Sequence, residues 1–115
     1  MNILVVAPHP DESHPDHRAT HAITLRALRN RYLPAEYVLA YEVWTPLREY
    51  SVVADISEQM ARKLQAIRCY RSQLEAFNYL QATTGLNRYR GALAARTIYA
   101  EVFQQATNGE GTWPR

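Results

Sequence analysis

The stretch NILVVAPHPDESHPDHRAT, residues 2–20, contains the change of pattern that decides the fold. Its first part, NILVVA at 2–7, is apolar and rich in β-branched residues, and Pro8 ends the run. Such a run predicts a fully buried strand of the kind found inside a parallel sheet. A polar loop follows, and a helix is expected to begin between Ser13 and Pro15. Ser13 is the predicted cap, Pro15 suits the first turn, and Asp16 completes an S-x-x-D box at the positive end of the helix. Ala22, Leu25, Leu28 and Tyr32 then recur at helical spacing, with Arg26, Arg29 and Arg31 largely off that stripe, until Pro34.

The remaining chain extends this strand–loop–helix unit. YVLAYEVW at 37–44 predicts a second strand closed by Thr45-Pro46, and YSVVADI at 50–56 a weaker edge strand. Asp55 and Glu58 form a capping box for a long helix with the stripe Ile56, Met60, Leu64, Ile67, Leu74 and Phe77, expected to continue, with a break, to about Thr83. Gly85 and Gly91 punctuate a further helical piece, and TIYAEVF at 97–103 suits a final strand or a helix end. The order of elements predicts one α/β domain over residues 1–106, with a small, mostly parallel sheet and a loose tail at 107–115. In such sheets ligands bind beyond the carboxyl ends of the strands, which is where the histidine loop falls.

Composition narrows the classes of function. Of 115 residues, 47% are hydrophobic and 21% charged, as in globular proteins rather than disordered ones. A net charge of +2 is too small to imply a nucleic-acid partner. The arginines near Tyr70 and Tyr89 are expected to be solvated helix faces, balanced by Glu58, Glu75 and Glu101. A lone Cys69 excludes an intrachain disulfide and a cysteine-based zinc site, and is expected to be a partly buried packing residue. The opening run lacks a basic n-region and is too short to span a bilayer, so a cytoplasmic address without a membrane partner is expected.

All four histidines, His9, His14, His17 and His21, fall within the first 21 residues, interleaved with Asp11, Glu12 and Asp16. Without cysteine, zinc takes imidazole nitrogen and carboxylate oxygen, and a catalytic zinc keeps three protein ligands and one open position. His9 with one carboxylate on the proline-containing turn supplies two ligands, and a histidine from the helix start supplies the third. The other carboxylate is left to take a proton from zinc-bound water, and a further histidine to stabilise an oxyanion. His17 and His21, four residues apart on one helix face, form a rival pair. His21 is otherwise expected to be a surface residue or one supporting the ligands from behind.

ILVVAPHPDE resembles the opening of the LmbE/PIG-L zinc-dependent N-deacetylases, in which a strand runs into an H-P-D-D-E motif. SHPDHRAT is similar to that family's second zinc motif. YEVWTPL, VADISEQMARKLQAIRCYRSQL, LNRYRG and YAEVF resemble the region downstream of it. The resemblance implies a Rossmann-like sheet flanked by helices. It also implies that His9, Glu12 and His17 ligate Zn2+, with Glu12 at the place of the family's second Asp. Asp11 is then the general base, His14 the oxyanion-stabilising or acid group, and Asp16 its orienting neighbour. The implied reaction removes an N-acetyl group from an N-acetylglucosaminyl conjugate, a small-molecule substrate, and homo-oligomers are implied as well. Tyr99 is either a hydroxyl donor to the site or, more simply, a packed residue at a strand end, and Trp44 is expected to be a packing residue rather than a stacking platform for sugar, although it ends a strand and so falls near the site.

The chain departs from the family pattern at one place. One residue, Ser13, separates the two motifs, where family members have a long segment of strands and helices. The fold is therefore expected to be reduced relative to the full family fold, with a large internal deletion. The alternative to an active hydrolase is a non-catalytic remnant that binds metal but lacks the substrate-binding segment.

Overall fold

The computed structural model describes residues 3–30 and 37–107. They form β1 (Leu4–Pro8), α1 (Pro15–Arg29), β2 (Tyr37–Tyr41), β3 (Val52–Asp55), α2 (Met60–Arg68), α3 (Arg71–Ala76), α4 (Tyr79–Arg90), a π-helical turn (Gly91–Ala95) and β4 (Ala100–Thr107). Backbone hydrogen bonds join the strands in the order β1-β2-β4-β3; the α/β class and the edge position of β3 are as expected. Tyr32 and Pro34, and the tail beyond Thr107, lie outside the described residues. The chain folds as two compact units, Met1–Val52 with Val102–Arg115, and Val53–Glu101.

In the first unit, α1 is the crossover that brings β2 back parallel to β1, with Leu4 opposite Tyr37 and Pro8 opposite Tyr41. β4 then pairs with β2 antiparallel, Tyr41 opposite Phe103, so the sheet is mixed rather than mostly parallel. Leu28 of α1 and Val38 of β2 form the core, with Val5 and Leu25 packed against them. Ala7, Ala40 and Val102 are also buried. β1 is not buried on both sides: Leu4 and Val6 are 54% and 47% exposed. Alternation along β1 puts these two on the face opposite the buried Ala7. Ala22, placed on the apolar stripe of α1 by its spacing, is exposed.

Two start signals read differently in space. The cap of α1 is His14, not Ser13: its Nδ1 accepts the Asp16 amide at 3.1 Å. Ser13 instead gives its amide to Thr45 Oγ1 at 2.9 Å. In the second unit, Asp55 ends β3 rather than capping a helix, and α2 starts at Met60. Asp55 Oδ1 accepts the Ser57 amide (3.0 Å), the Ser57 hydroxyl (2.7 Å) and the Thr97 hydroxyl (2.9 Å). An Asx-type turn therefore competes successfully with the capping box.

The predicted long helix is three helices, because Tyr70 and then Phe77 and Asn78 leave helical geometry. Asn78 restarts the chain by accepting the Gln81 amide at 3.2 Å. α2 and α3 both pack on α4. Met60 is buried, whereas Phe77, placed on the stripe by its spacing, is exposed. Asn87 of α4 donates to the Ala100 carbonyl at 3.0 Å and accepts Lys63 at 2.8 Å, while Lys63 also pairs with Glu101. Gly91 opens the π-helical turn, and Arg96 closes it in a left-handed conformation (φ 53). Cys69 is exposed at the end of α2, not partly buried, because the apolar stripe runs along the other side of that helix.

Candidate functional site

β1 delivers the chain into the loop 9–14 at the carboxyl end of the strand, and α1 leaves it at Pro15. Within this loop His9 and Glu12 are each 1% exposed. A buried carboxylate is costly unless its oxygens are hydrogen-bonded. Glu12 meets that condition with three consecutive main-chain amides beyond β2: Val43 (3.2 Å), Trp44 (2.8 Å) and Thr45 (2.8 Å). Burial pushes the Glu12 carboxyl up. The Trp44 amide, His17, and the Thr45 and Val43 amides together outweigh it, and the carboxyl lies below its ordinary value.

The two imidazoles expected beside this carboxylate are there. His17 Nδ1 lies 3.0 Å from Glu12 Oε1, and His9 Nε2 lies 3.1 Å from Oε2. His9 Nε2 also lies 2.6 Å from the Thr45 carbonyl, and His9 Nδ1 accepts the Asp11 amide at 3.2 Å. Asp11 is exposed beside the ring. His14 stacks on His17, ring centroids 4.8 Å apart, and accepts the Asp16 main-chain amide while the Asp16 carboxylate faces outward. His21, expected at the surface or behind the ligands, is 3% exposed and its Nδ1 is 2.8 Å from the Pro8 carbonyl. Burial pushes its imidazole below the ordinary value, only partly offset by that carbonyl.

The sequence reading missed two residues. Thr45, taken as a strand terminator, touches the loop through its amide, its carbonyl and its hydroxyl. Arg18 donates to the Glu12 carbonyl at 2.8 Å and the Ser13 carbonyl at 2.6 Å, closing the loop from the helix side. The sole signal for Thr45 was its place after a strand and before a proline. Tyr99 belongs to the second unit, where its amide bonds to Ser57 Oγ at 3.1 Å.

In kind, the donor set fits zinc: a buried imidazole and carboxylate on the loop, His9 and Glu12, and a partly exposed imidazole, His17, in the first turn of α1. The donors are bonded in sequence through Glu12 rather than grouped round one point. Among the described residues no three His, Cys, Asp or Glu side chains stand ready to share one ion. Taking up an ion therefore requires His17 to exchange its bond to Glu12, and His9 its bond to the Thr45 carbonyl, for bonds to the metal.

Comparisons with known proteins bear on the fold. The chain matches no family profile and no curated protein sequence. Among solved structures it is similar to N,N'-diacetylchitobiose deacetylase from Pyrococcus horikoshii, solved with its inhibitor MPG, with 25% sequence identity and a TM-score of 0.67. The likeness covers 92% of this chain and 46% of the deacetylase, so the chain spans about half the length of that protein. No helix among the described residues is long and apolar enough to cross a membrane. The histidine loop thus sits on an α/β scaffold with the fold of an amino-sugar deacetylase.

Proposed function

We propose that the chain is a zinc-dependent hydrolase that removes the N-acetyl group from an N-acetylglucosaminyl conjugate. The observation carrying this reading is the buried carboxylate of Glu12 with an imidazole on each oxygen, at the carboxyl end of β1. Likeness to a diacetylchitobiose deacetylase supports the choice of an acetylated amino sugar as substrate. His9, Glu12 and His17 would hold the ion, which would supply Lewis acidity and a water that ionises near neutral pH.

Hydrogen bonds support the remaining roles. Asp11 is an exposed carboxylate joined through its own amide to His9, so it stands beside the ring with its oxygens open to a proton. His14 Nδ1 is occupied by the Asp16 amide, so its neutral ring carries the proton on Nε2. That N–H is a donor for the oxygen that becomes negative when water adds to the acetyl carbonyl. The new C–O bond forms and the C–N bond breaks, and the amine leaves with a proton as acetate is released. Asp16, through its amide, orients His14. The reading includes a protein that acts on a small molecule in the cytoplasm and associates with its own copies, without nucleic acid.

The test is metal analysis paired with acetate release from N-acetylglucosamine conjugates. About one zinc per chain, lost in His9→Ala and in His17→Ala, together with acetate release, is the expected result. Absence of zinc uptake ends the hydrolase reading.

A second reading, a non-catalytic remnant, is favoured by the full occupation of Glu12 and by the half-length match to the deacetylase. It predicts zinc uptake without acetate release.

A further inference from the structure

A carboxylate offers about four acceptor sites, two on each oxygen. On Glu12 these are taken by the amides of Val43, Trp44 and Thr45 and by the Nδ1–H of His17. His9 Nε2 approaches the same carboxylate at 3.1 Å, yet its shorter contact, 2.6 Å, is to the Thr45 carbonyl. That carbonyl can only accept, so Nε2 must carry the proton. On the other side of the ring, the Asp11 amide can only donate, so Nδ1 must carry the lone pair. Both neighbours demand the same tautomer. The opposite one would set N–H against N–H at 3.2 Å and lone pair against carbonyl at 2.6 Å.

We propose that the main chain of residues 43–45 is a positioning element for the histidine centre, fixing His9 as its Nε2–H tautomer and holding Glu12 in place without a metal. Thr45 is its key residue. Its amide donates to Glu12, its carbonyl accepts a hydrogen bond from His9 Nε2–H, and its hydroxyl oxygen accepts the Ser13 amide. The loop between β1 and α1 is therefore organised by peptide groups, and His9 is a proton donor as long as this segment stays in place. An ion gains a lone pair at His9 Nε2 only when that nitrogen gives up its proton and its hydrogen bond to the Thr45 carbonyl. The role assigned here rests on the reading of His9, Glu12 and His17 as the reactive centre, but its test needs neither metal nor turnover.

The experiment uses the full chain, labelled with 15N-histidine and treated with EDTA, with long-range proton–nitrogen spectra and amide exchange as readouts. His9 is assigned by its loss in His9→Gln. The expected result is a His9 ring protonated at Nε2 and unprotonated at Nδ1, with slow exchange at the amides of residues 43–45. In Glu12→Gln at least one of those amides loses its acceptor and exchanges at least about tenfold faster, while the amides of β1 keep their rates. In Thr45→Val the Ser13 amide alone loses protection and the His9 tautomer persists, because the main-chain carbonyl still holds it.

A His9 ring protonated at Nδ1, or unprotected amides at 43–45 in the metal-free wild type, overturns the proposal. Should Glu12→Gln not fold, the wild-type tautomer and exchange rates decide. Zinc addition to the same sample separates the two readings. No zinc uptake with His9 in the expected tautomer defeats the hydrolase reading and leaves the positioning element standing. Zinc uptake by a chain whose metal-free His9 is protonated at Nδ1 defeats the positioning element alone.

Discussion

Replacing Glu12 by Gln keeps the volume of the side chain and removes one acceptor oxygen. Two orientations of the new amide are available. With its oxygen at the Oε2 position, the NH2 group faces the Trp44 amide and His17 Nδ1; with its oxygen at Oε1, it faces the amides of Val43 and Thr45. In the first orientation His17 can change tautomer and accept from the new NH2 group, so the Trp44 amide alone loses its acceptor, and this orientation is the less costly one. Such a loss costs about 1–3 kcal/mol, so the variant is expected to be about 2 kcal/mol less stable. The assay is urea unfolding of the metal-free chain followed by tryptophan fluorescence in a Trp113→Phe background, which leaves Trp44, bonded to Glu12 through its own amide, as the reporter. With a slope of about 2 kcal/mol per molar urea, the midpoint falls by about 1 M. Glu49→Gln, at an exposed position, is the control and stays within about 0.5 kcal/mol of wild type. A loss below about 1 kcal/mol in Glu12→Gln would refute the claim that this carboxylate fastens the 43–45 segment to the histidine loop.

Other expectations concern the second unit. Ser57 and Thr97 hydrogen bonds hold the Asp55 carboxyl below its ordinary 3.8. Because the folded value lies below the unfolded one, this contribution is present above the ordinary value and fades as pH falls through the folded one. An NMR titration is expected to place Asp55 below 3.8 in the wild type and nearer to it in Thr97→Val. Gly91→Ala puts a Cβ 2.6 Å from the Ile98 carbonyl oxygen, a backbone atom, and is expected to cost about 2 kcal/mol or more in thermal unfolding. Gly85→Ala, inside α4 with nothing within 4 Å, is expected to stabilise by about 0.5–1 kcal/mol in the same assay. Asn87→Ala removes the donor to the Ala100 carbonyl and the acceptor of Lys63, and is expected to cost about 2 kcal/mol, read as a lower unfolding midpoint.

Local pattern alone determined much of this protein. The β-branched run before Pro8, the amphipathic spacing after Pro15 and the β-formers from Tyr37 specify a strand, a crossover helix and a second parallel strand, because each depends on a periodicity held within a few residues. The adjacency of His9, Glu12 and His17 was legible for the same reason, since a tight loop entering a helix keeps residues three to five apart within reach.

Long-range partners decided the rest. Ser13 and His14 are both competent caps; in space His14 caps the helix while the Ser13 amide is bonded to Thr45, 32 residues away. Asp55 ends a strand instead of starting a helix because Thr97 and Ser57 converge on its oxygen. β4 pairs antiparallel with β2, Tyr41 opposite Phe103, and no local signal encodes a pairing between residues so far apart in sequence. The state of the histidine centre belongs to this second class. Which nitrogen of His9 carries a proton, and how much of Glu12 is left for anything else, depends on three peptide groups at positions 43–45, and a peptide group has no side chain to mark it in the sequence.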